Sequence, residues 1–251
     1  MLAYVATTTF KIWRGKADEG EMVDYQTEVT EGMVVLDAIH QIQAESAPDL
    51  ACRWNCKAGK CGSCSAEING MPRLLCMTRC DDLPLEQGVT IEPMKAFPLI
   101  RDLVTDVSSN YRKKLAIKKF SPRKPDAEDG TWRIAQEDVE RVQEFRKCIE
   151  CFLCQNVCHV LREHGKHEEF IGPQLFVYTA ALDMHPLDTE DRLDDLRKRD
   201  SIGYCNITKC CTVVCPENIK ITDNAIIPLK ERVVDRHYDP IAKLFKLGRK
   251  K

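Results

Sequence analysis

The chain has 251 residues, which is enough for one or two domains with a sizeable hydrophobic core. Its formal net charge of −2 gives no overall positive field, and this argues against nucleic acid as the main partner. No apolar stretch approaches the ~20 residues that cross a bilayer, and no secretory signal is visible at the N-terminus. We therefore expect the fourteen cysteines to bind metal or carry out redox chemistry rather than to form disulfides.

The first hundred residues combine strand, helix and loop patterns. Alternating apolar and polar side chains predict strands within residues 4–36, with a turn at 15–21. Apolar residues at helical spacing predict a helix over 33–45. A loop rich in Cys and Gly, a strand that ends in an Asn-Gly turn, and one more strand are predicted at 52–64, 65–70 and 89–94. Together these elements predict a small α+β domain over 1–106.

The rest of the chain has a helical pattern. Its periodicity predicts a helix over 100–119, and two prolines among polar residues predict a loop over 121–130. Further helices are predicted at 139–148, 174–182, 189–199 and 225–234. The basic stretch 111–124 is either a solvated helix and loop or a contact with an acidic partner. These patterns predict an all-α domain over 107–251.

The first cysteine group lies in the loop of the N-terminal domain. Its spacing is the plant-type pattern for a 2Fe-2S cluster, with the candidate ligands Cys56, Cys61, Cys64 and Cys76. Thiolates are the soft ligands that hold iron and sulfide, and each iron needs two of them. Gly59 and Gly62 relax the backbone where side chains would collide. The alternative for this group is zinc, which the Cys61-x2-Cys64 pair alone would suit.

Two further cysteine runs follow the bacterial ferredoxin spacing C-x2-C-x2-C-x3-C. The second run is complete, and the third has Thr208 in place of its second cysteine. In two-cluster ferredoxins the fourth cysteine of each run ligates the cluster of the other run. The expected 4Fe-4S ligands are therefore Cys148, Cys151, Cys154 and Cys215, and the remaining set is Cys158, Cys205 and Cys211.

The remaining set has three thiolates, and a cubane corner without a thiolate loses its iron readily. We therefore expect a 3Fe-4S cluster there, with Cys210 or water in the fourth corner as the alternative. The cysteines left without a ligand role are Cys52, Cys80 and Cys210, for which the simplest interpretation is that they are small buried apolar residues. Cys52 and Cys80 flank the first group in sequence and are candidates to line its cluster without ligating it.

Three clusters in one chain indicate a series of one-electron carriers. Their order, together with the sequences at 97–106, 170–173 and 225–230, resembles the iron–sulfur subunit of succinate dehydrogenase and fumarate reductase. The resemblance implies a β-grasp ferredoxin domain followed by an α-helical ferredoxin domain. It also implies a flavoprotein partner with covalent FAD, which oxidises succinate, and hydrophobic membrane-anchor subunits, where quinone is reduced.

By the same resemblance, this chain would have no substrate site and no catalytic residue, and it would lie peripherally on the cytoplasmic side of the cell membrane. The ubiquinone-linked branch of the family has Pro and two Trp after the cysteine equivalent to Cys158, and His after that equivalent to Cys205. This sequence instead has His159, Arg162, Glu163 and Asn206. The pattern is closer to bacterial menaquinone-linked members, so the quinone contacts of the ubiquinone branch do not transfer.

Other interpretations stay open at this point. The subunit could work in the reverse direction, as in fumarate reductase, or carry electrons for another dehydrogenase or reductase. A cluster-stabilised DNA-processing protein would need a basic face and a nuclease or helicase motif, which the sequence lacks. The tail 241–251 places three apolar residues among basic ones, so it is either a frayed end or a contact with a membrane surface or partner.

Overall fold

The chain forms two compact units in the computed structural model, which describes residues 5–17 and 19–240. The units divide the chain as follows: the first extends to Val107 and also includes Ile149–Val157, and the second comprises Ser108–Cys148 and continues from Cys158. No pattern in the sequence indicates that part of the second cysteine run belongs with the N-terminal unit. The domain ranges inferred from the sequence, 1–106 and 107–251, assign this segment to the second domain and stay a prediction.

The N-terminal unit is built on a five-stranded sheet in the order β2-β1-β5-β3-β4. Its strands are β1 (Val5–Lys16), β2 (Glu19–Thr30), β3 (Ser65–Ile68), β4 (Met71–Leu74) and β5 (Val89–Glu92). Strands β1 and β5 are parallel, with Phe10 opposite Val89, whereas the other neighbouring pairs are antiparallel. Helix α1 (Val35–Glu45) follows β2 and contacts it. This β-grasp arrangement and the α-helical second unit confirm the predicted α+β class.

The core of this unit follows from the sequence patterns that predicted it. Phe10 and Ile12 alternate with more exposed residues along β1 and are fully buried. Ile39 and Ile42 lie on the buried side of α1, at helical spacing. Residues 69–70 have positive φ values of 48° and 74°, as an Asn-Gly hairpin turn requires.

The helix predicted over 100–119 is wrong in its first part. The segment contains two short strands and a shorter helix: β6 (Leu99–Arg101), β7 (Val104–Thr105) and α2 (Ser108–Ala116). Asp102 lies between the strands with a φ of 50° and is 1% exposed. Its carboxylate accepts hydrogen bonds from the backbone N–H groups of Gly15 and Ala51, both at 2.7 Å. These long-range bonds to a buried charged group outweigh the local helical preference.

The regular elements that the structure describes in the second unit are helices. After α2 the chain forms α3 (Gln136–Gln143), α4 (Leu153–Asn156, in the first unit), α5 (His159–Arg162), α6 (Pro173–Asp183), α7 (Leu193–Lys198), α8 (Cys210–Val213) and α9 (Ile227–His237). Helix α6 is buried on most of its sides and contacts α2, α3 and the helical turn Ile221–Ile226. It is therefore the central helix of this unit.

A buried ion pair lies between α6 and α7. The guanidinium of Arg192, which is 1% exposed, lies 2.8 Å from the carboxylate of Asp188. It also donates to the carbonyl oxygens of Lys118 and Lys119, at 2.9 and 2.8 Å. Because the charge is paired and hydrogen-bonded, removing one partner would leave a buried charge unpaired.

None of the helices within residues 5–17 and 19–240 is long and apolar enough to cross a membrane. The tail 241–251, for which the sequence suggests a membrane or partner contact, lies outside the described residues.

Candidate iron–sulfur sites

Three cysteines of the first group, Cys56, Cys61 and Cys64, lie in the irregular segment between α1 and β3, and Cys76 follows β4. Here backbone N–H groups point at a cysteine sulfur: those of Ala58 and Lys60 donate to the Sγ of Cys56 at 3.4 and 3.3 Å. Hydrogen bonds to a cysteine sulfur of this kind tune the cluster that such a sulfur ligates.

The four cysteines of this group interact with one another through hydrogen bonds and electrostatics. A hydrogen bond with Ser63 lowers the pKa of Cys61 to about 6, and hydrogen bonds with Cys56 act in the same direction. Burial raises the pKa of Cys64 to about 12, and this thiol also interacts with Cys76 and Cys61. The predicted 2Fe-2S ligands therefore share one neighbourhood.

The two glycines of this loop have left-handed backbones, with φ of 65° for Gly59 and 67° for Gly62. A Cβ on Gly59 would lie 2.8 Å from the sulfur of Met77, a side chain that is 57% exposed. A Cβ on Gly62 would lie 2.6 Å from the Cα of Cys151. The second cysteine run thus passes directly against the first loop at Gly62, which the spacing of the cysteines does not reveal.

The second cysteine run has two left-handed residues that are not glycine, Glu150 (φ 55°) and Phe152 (φ 60°). Phe152 is the N-cap of α4, so Cys154 is the second residue of that helix. Cys151 and Cys154 are only 8% and 7% exposed. Left-handed residues of this type are uncommon, and loops that turn successive N–H groups to one side are typical of Fe–S sites.

The third run repeats this backbone. Ile207 (φ 63°) and Lys209 (φ 62°) lie two and four residues after the first cysteine of the run, as the left-handed residues of the second run do. Lys209 is likewise the N-cap of a four-residue helix, α8. In both runs a 3₁₀ turn ends directly at the first cysteine.

The repeated backbone gives the residue correspondence between the two runs. Thr208 corresponds to Cys151, Cys210 to Leu153, and Cys211 to Cys154. Cys211 therefore corresponds to a predicted ligand of the second run, and Cys210 corresponds to a residue that is not a predicted ligand. The register deduced from the sequence has the same correspondence.

The cysteines predicted to bind the third cluster also share a neighbourhood. Burial raises the pKa values of Cys158 and Cys211 to about 11 each. Cys158 interacts electrostatically with Cys210 and Cys211, and Cys211 interacts with Cys205. The hydroxyl of Thr222 lies 3.4 Å from the Sγ of Cys211.

The other two predicted 4Fe-4S ligands, Cys148 and Cys215, are half-buried. The amide nitrogen of Gln174 lies 4.0 Å from the Sγ of Cys148. The backbone N–H of Ile219 donates to the Sγ of Cys215 at 3.4 Å. Each sulfur therefore has a nitrogen donor nearby, and hydrogen bonds to the sulfurs are one of the features that tune iron–sulfur clusters.

The cysteines without a predicted ligand role differ among themselves. Burial raises the pKa of Cys52 to about 12 and that of Cys80 to about 11, so both are neutral thiols at physiological pH. Cys80 is fully buried, which fits a packing role. The Sγ of Cys210 lies 3.3 Å from the hydroxyl of Thr208, beside the position that lacks a thiolate.

The cysteine pattern did not single out the hydroxyl groups that contact the cysteines. Ser63 lies within the Cys61-x2-Cys64 spacing, so its position beside a ligand could have been predicted. Thr222 lies eleven residues beyond Cys211 along the chain, and only the fold brings the two side chains together.

No disulfide joins any of the fourteen cysteines, all of which lie within residues 5–17 and 19–240. Within residues 5–17 and 19–240, no three side chains of His, Cys, Asp or Glu are grouped so as to hold one metal ion. The first and third groups each offer several thiols with hydrogen-bond donors around them. Thiolate sulfurs supported by such donors are the ligands that iron–sulfur clusters take.

Comparisons with known proteins agree with this chemistry. The 2Fe-2S iron-sulfur cluster binding domain family matches residues 9–112, and the 4Fe-4S dicluster domain family matches residues 144–219. The chain is 59% identical to a chain of the Mycobacterium smegmatis Sdh1 complex in the apo form, with a TM-score of 0.91. That alignment covers 95% of this chain and 100% of the other.

Two curated relatives extend the comparison. The fumarate reductase iron-sulfur subunit of Mycobacterium tuberculosis is 33% identical over 199 residues, which are 78% of this chain and 79% of the relative. The succinate dehydrogenase iron-sulfur subunit of Paracoccus denitrificans is 29% identical over 233 residues, which are 90% of this chain and 88% of the relative.

The fold and the cysteine groups define an iron–sulfur electron-transfer protein with a 2Fe-2S domain and a 4Fe-4S dicluster domain. More narrowly, the chain belongs to the family of iron–sulfur subunits of succinate dehydrogenase and fumarate reductase. The resemblance inferred from the sequence is thereby confirmed, and so is the role of this chain as an electron-transfer subunit of an oxidoreductase complex.

Proposed function

We propose that this chain is the electron-transfer subunit of a membrane-bound succinate dehydrogenase (quinone). It would receive electrons from FAD in a flavoprotein subunit and pass them toward quinone in a membrane anchor. The observation that carries the proposal is the repeated backbone of the second and third cysteine runs, with Thr208 at one ligand position. That arrangement suits two clusters of different composition after a 2Fe-2S domain.

The proposed 2Fe-2S ligands are Cys56, Cys61, Cys64 and Cys76. Their pairwise interactions support this set, as do the N–H groups directed at Cys56. When bound, such clusters supply centres that accept and release one electron at a time.

The proposed 4Fe-4S ligands are Cys148, Cys151, Cys154 and Cys215. Support comes from the spacing of the second run, its two left-handed residues and the match of the dicluster domain over 144–219. The inclusion of Cys215 rests on the rule that the fourth cysteine of a run ligates the cluster of the other run.

The proposed 3Fe-4S ligands are Cys158, Cys205 and Cys211. The electrostatic interactions of Cys211 with Cys158 and Cys205 support the set. Cys210 interacts with Cys158 and Cys211 as well, and the correspondence of Cys211 with Cys154 favours Cys211 over Cys210. Thr208 has a hydroxyl where the second run has a thiol, so one corner of a cubane would lack its thiolate.

The partners and direction belong to the same proposal. We expect a covalent-FAD flavoprotein that binds and oxidises succinate, and hydrophobic anchor subunits that carry the quinone, which we take to be menaquinone. The chain would lie peripherally on the cytoplasmic side of the cell membrane. The relative at 59% identity comes from an Sdh1 complex, which supports the succinate-oxidising direction.

Co-purification tests this proposal directly. The chain is tagged in its own cells, membranes are extracted with mild detergent, and the subunits that elute with it are identified. We expect a subunit with covalently bound flavin and one or more hydrophobic subunits, with faster succinate oxidation than fumarate reduction at equal driving force. Isolation of the chain as a stable soluble monomer would refute the complex and favour a separate electron carrier.

A further inference from the structure

Within the N-terminal unit, the segment Ile149–Val157 is held at three points, against the 2Fe-2S loop and against β3 and Ala96 beside it. The first is Gly62, where any Cβ would collide with the backbone of Cys151, 2.6 Å from its Cα and 2.9 Å from its nitrogen. Backbone atoms cannot turn aside as the end of a flexible side chain can. The close approach of the two loops therefore requires glycine at this position.

The second point is Ser65, the first residue of β3. Its hydroxyl lies 2.9 Å from the carbonyl oxygen of Gly62 and 2.9 Å from the carbonyl oxygen of Cys151. One buried side chain thus contacts both loops, each beside a proposed cluster ligand. A buried hydroxyl between two carbonyl groups resists displacement, because its loss leaves the carbonyls with one donor fewer.

The third point is Asn156, which is fully buried. Its side-chain amide donates to the carboxylate of Glu67 at 2.8 Å and accepts from the backbone N–H of Ala96 at 2.9 Å. Glu67 lies on β3 and is itself fully buried. A buried amide with both of its ends bonded fixes the position of the segment that carries it.

We infer that Gly62, Ser65 and Asn156 act as positioning residues that hold Cys151 at a fixed separation from the 2Fe-2S loop. The inference rests on the proposed ligand roles of Cys61, Cys64 and Cys151. The rate of electron transfer between two centres depends steeply on their separation. Contacts that fix the separation of the two loops therefore keep this rate constant. These three contacts are called the interloop clamp below.

Gly62→Ala tests the interloop clamp, with Gly59→Ala as its matched control. The two glycines lie in the same loop and differ by 2° in φ, so both variants carry the same cost of a Cβ in a left-handed backbone. Only their neighbours differ: the backbone of Cys151 for Gly62, and the exposed side chain of Met77 for Gly59. Gly70→Ala adds a left-handed position with no atom within 4 Å.

Two measurements on the purified holo complex report on the interloop clamp. Amide hydrogen exchange in Ile149–Val157 should be roughly tenfold faster in Gly62→Ala and unchanged in both controls. The microwave power saturation of the reduced 2Fe-2S electron paramagnetic resonance (EPR) signal, which depends on its distance from the neighbouring centre, should also shift in Gly62→Ala alone. Equal behaviour of Gly62→Ala and Gly59→Ala in both measurements would overturn the inference.

Ser65→Ala provides a milder variant that adds no atoms. It should accelerate exchange in the same segment, whereas Thr179→Val, which removes a buried hydroxyl bonded within α6, should not. If Ser65→Ala leaves the segment unchanged, the hydroxyl is not part of the interloop clamp. Cys151→Ser tests the ligand role of Cys151 separately from the interloop clamp. Full retention of iron in that variant would refute the ligand role. The hydrogen-exchange data bear on the interloop clamp alone.

Discussion

Replacing Thr208 by cysteine is expected to convert the third cluster toward a 4Fe-4S centre. The φ values around position 208 are 63° and 62°, against 55° and 60° around Cys151. The backbone at position 208 therefore has the same conformation as at Cys151, a proposed ligand, so a cysteine at 208 would add no backbone strain. A fourth thiolate would retain a fourth iron, so the iron content should rise by about one per chain.

The reduction potential of this centre should fall, because an added thiolate increases electron donation and negative charge. A fall on the order of 100 mV would make electron transfer into the centre roughly fifty-fold less favourable at equilibrium, since about 59 mV is a factor of ten for one electron. Quinone reduction by succinate should slow, while succinate binding to the partner should not change.

EPR of the oxidised complex gives the readout. An oxidised 3Fe-4S centre is paramagnetic, whereas an oxidised 4Fe-4S centre of this type is silent, so the oxidised-state signal should diminish. Thr208→Ser is the matched control, since it keeps an oxygen at this position and should keep the full signal. Because the Thr208 hydroxyl lies 3.3 Å from Cys210, the variant is also made with Cys210→Ser to exclude a disulfide between the two thiols. A full oxidised-state signal and unchanged iron in both cysteine variants would refute the register and the choice of Cys211 over Cys210.

Three further predictions concern other parts of the chain. Cys61→Ser should remove or distort the 2Fe-2S EPR signal and leave the other two signals largely intact; an unaltered 2Fe-2S spectrum would contradict the ligand assignment. Arg192→Met should lower the free energy of unfolding by about 3–5 kcal/mol in thermal denaturation, because it leaves Asp188 buried without its partner. The double variant with Asp188→Leu should recover part of the lost free energy of unfolding. If the double variant is as unstable as Arg192→Met or more so, an unpaired charge is not the cause of the loss. Truncation after Asp239 should weaken membrane retention most at low salt, since each basic residue of the tail could contribute ~1 kcal/mol near an anionic surface and salt screens this attraction; equal retention at all salt concentrations would indicate a frayed end.

The sequence by itself determined the cysteine chemistry and the fold class. The spacings of the cysteine groups are local, because each spans few residues and reflects how a loop wraps a cluster. The alternation along β1, the helical spacing of α1 and the Asn-Gly turn are equally local, and the structure confirms all three. The order of the groups indicated the family, which the comparisons confirm.

Local patterns failed where distant residues supplied the decisive contact. The helical periodicity of residues 100–107 was misleading because the buried carboxylate of Asp102 bonds to the backbone at Gly15 and Ala51. No spacing rule could show this, since the partners lie 87 and 51 residues away along the chain.

The tertiary structure also provides the physical basis for two features of the candidate sites. The matching left-handed residues of the second and third runs make Cys211, rather than Cys210, correspond to Cys154, the predicted ligand of the second run. The close approach of Gly62 to Cys151 explains why the first loop needs glycine at this position. From the sequence alone, the glycine was explained by the conformation of its own loop. Both features depend on backbone conformation and on packing between distant segments, which cannot be deduced from the order of residues.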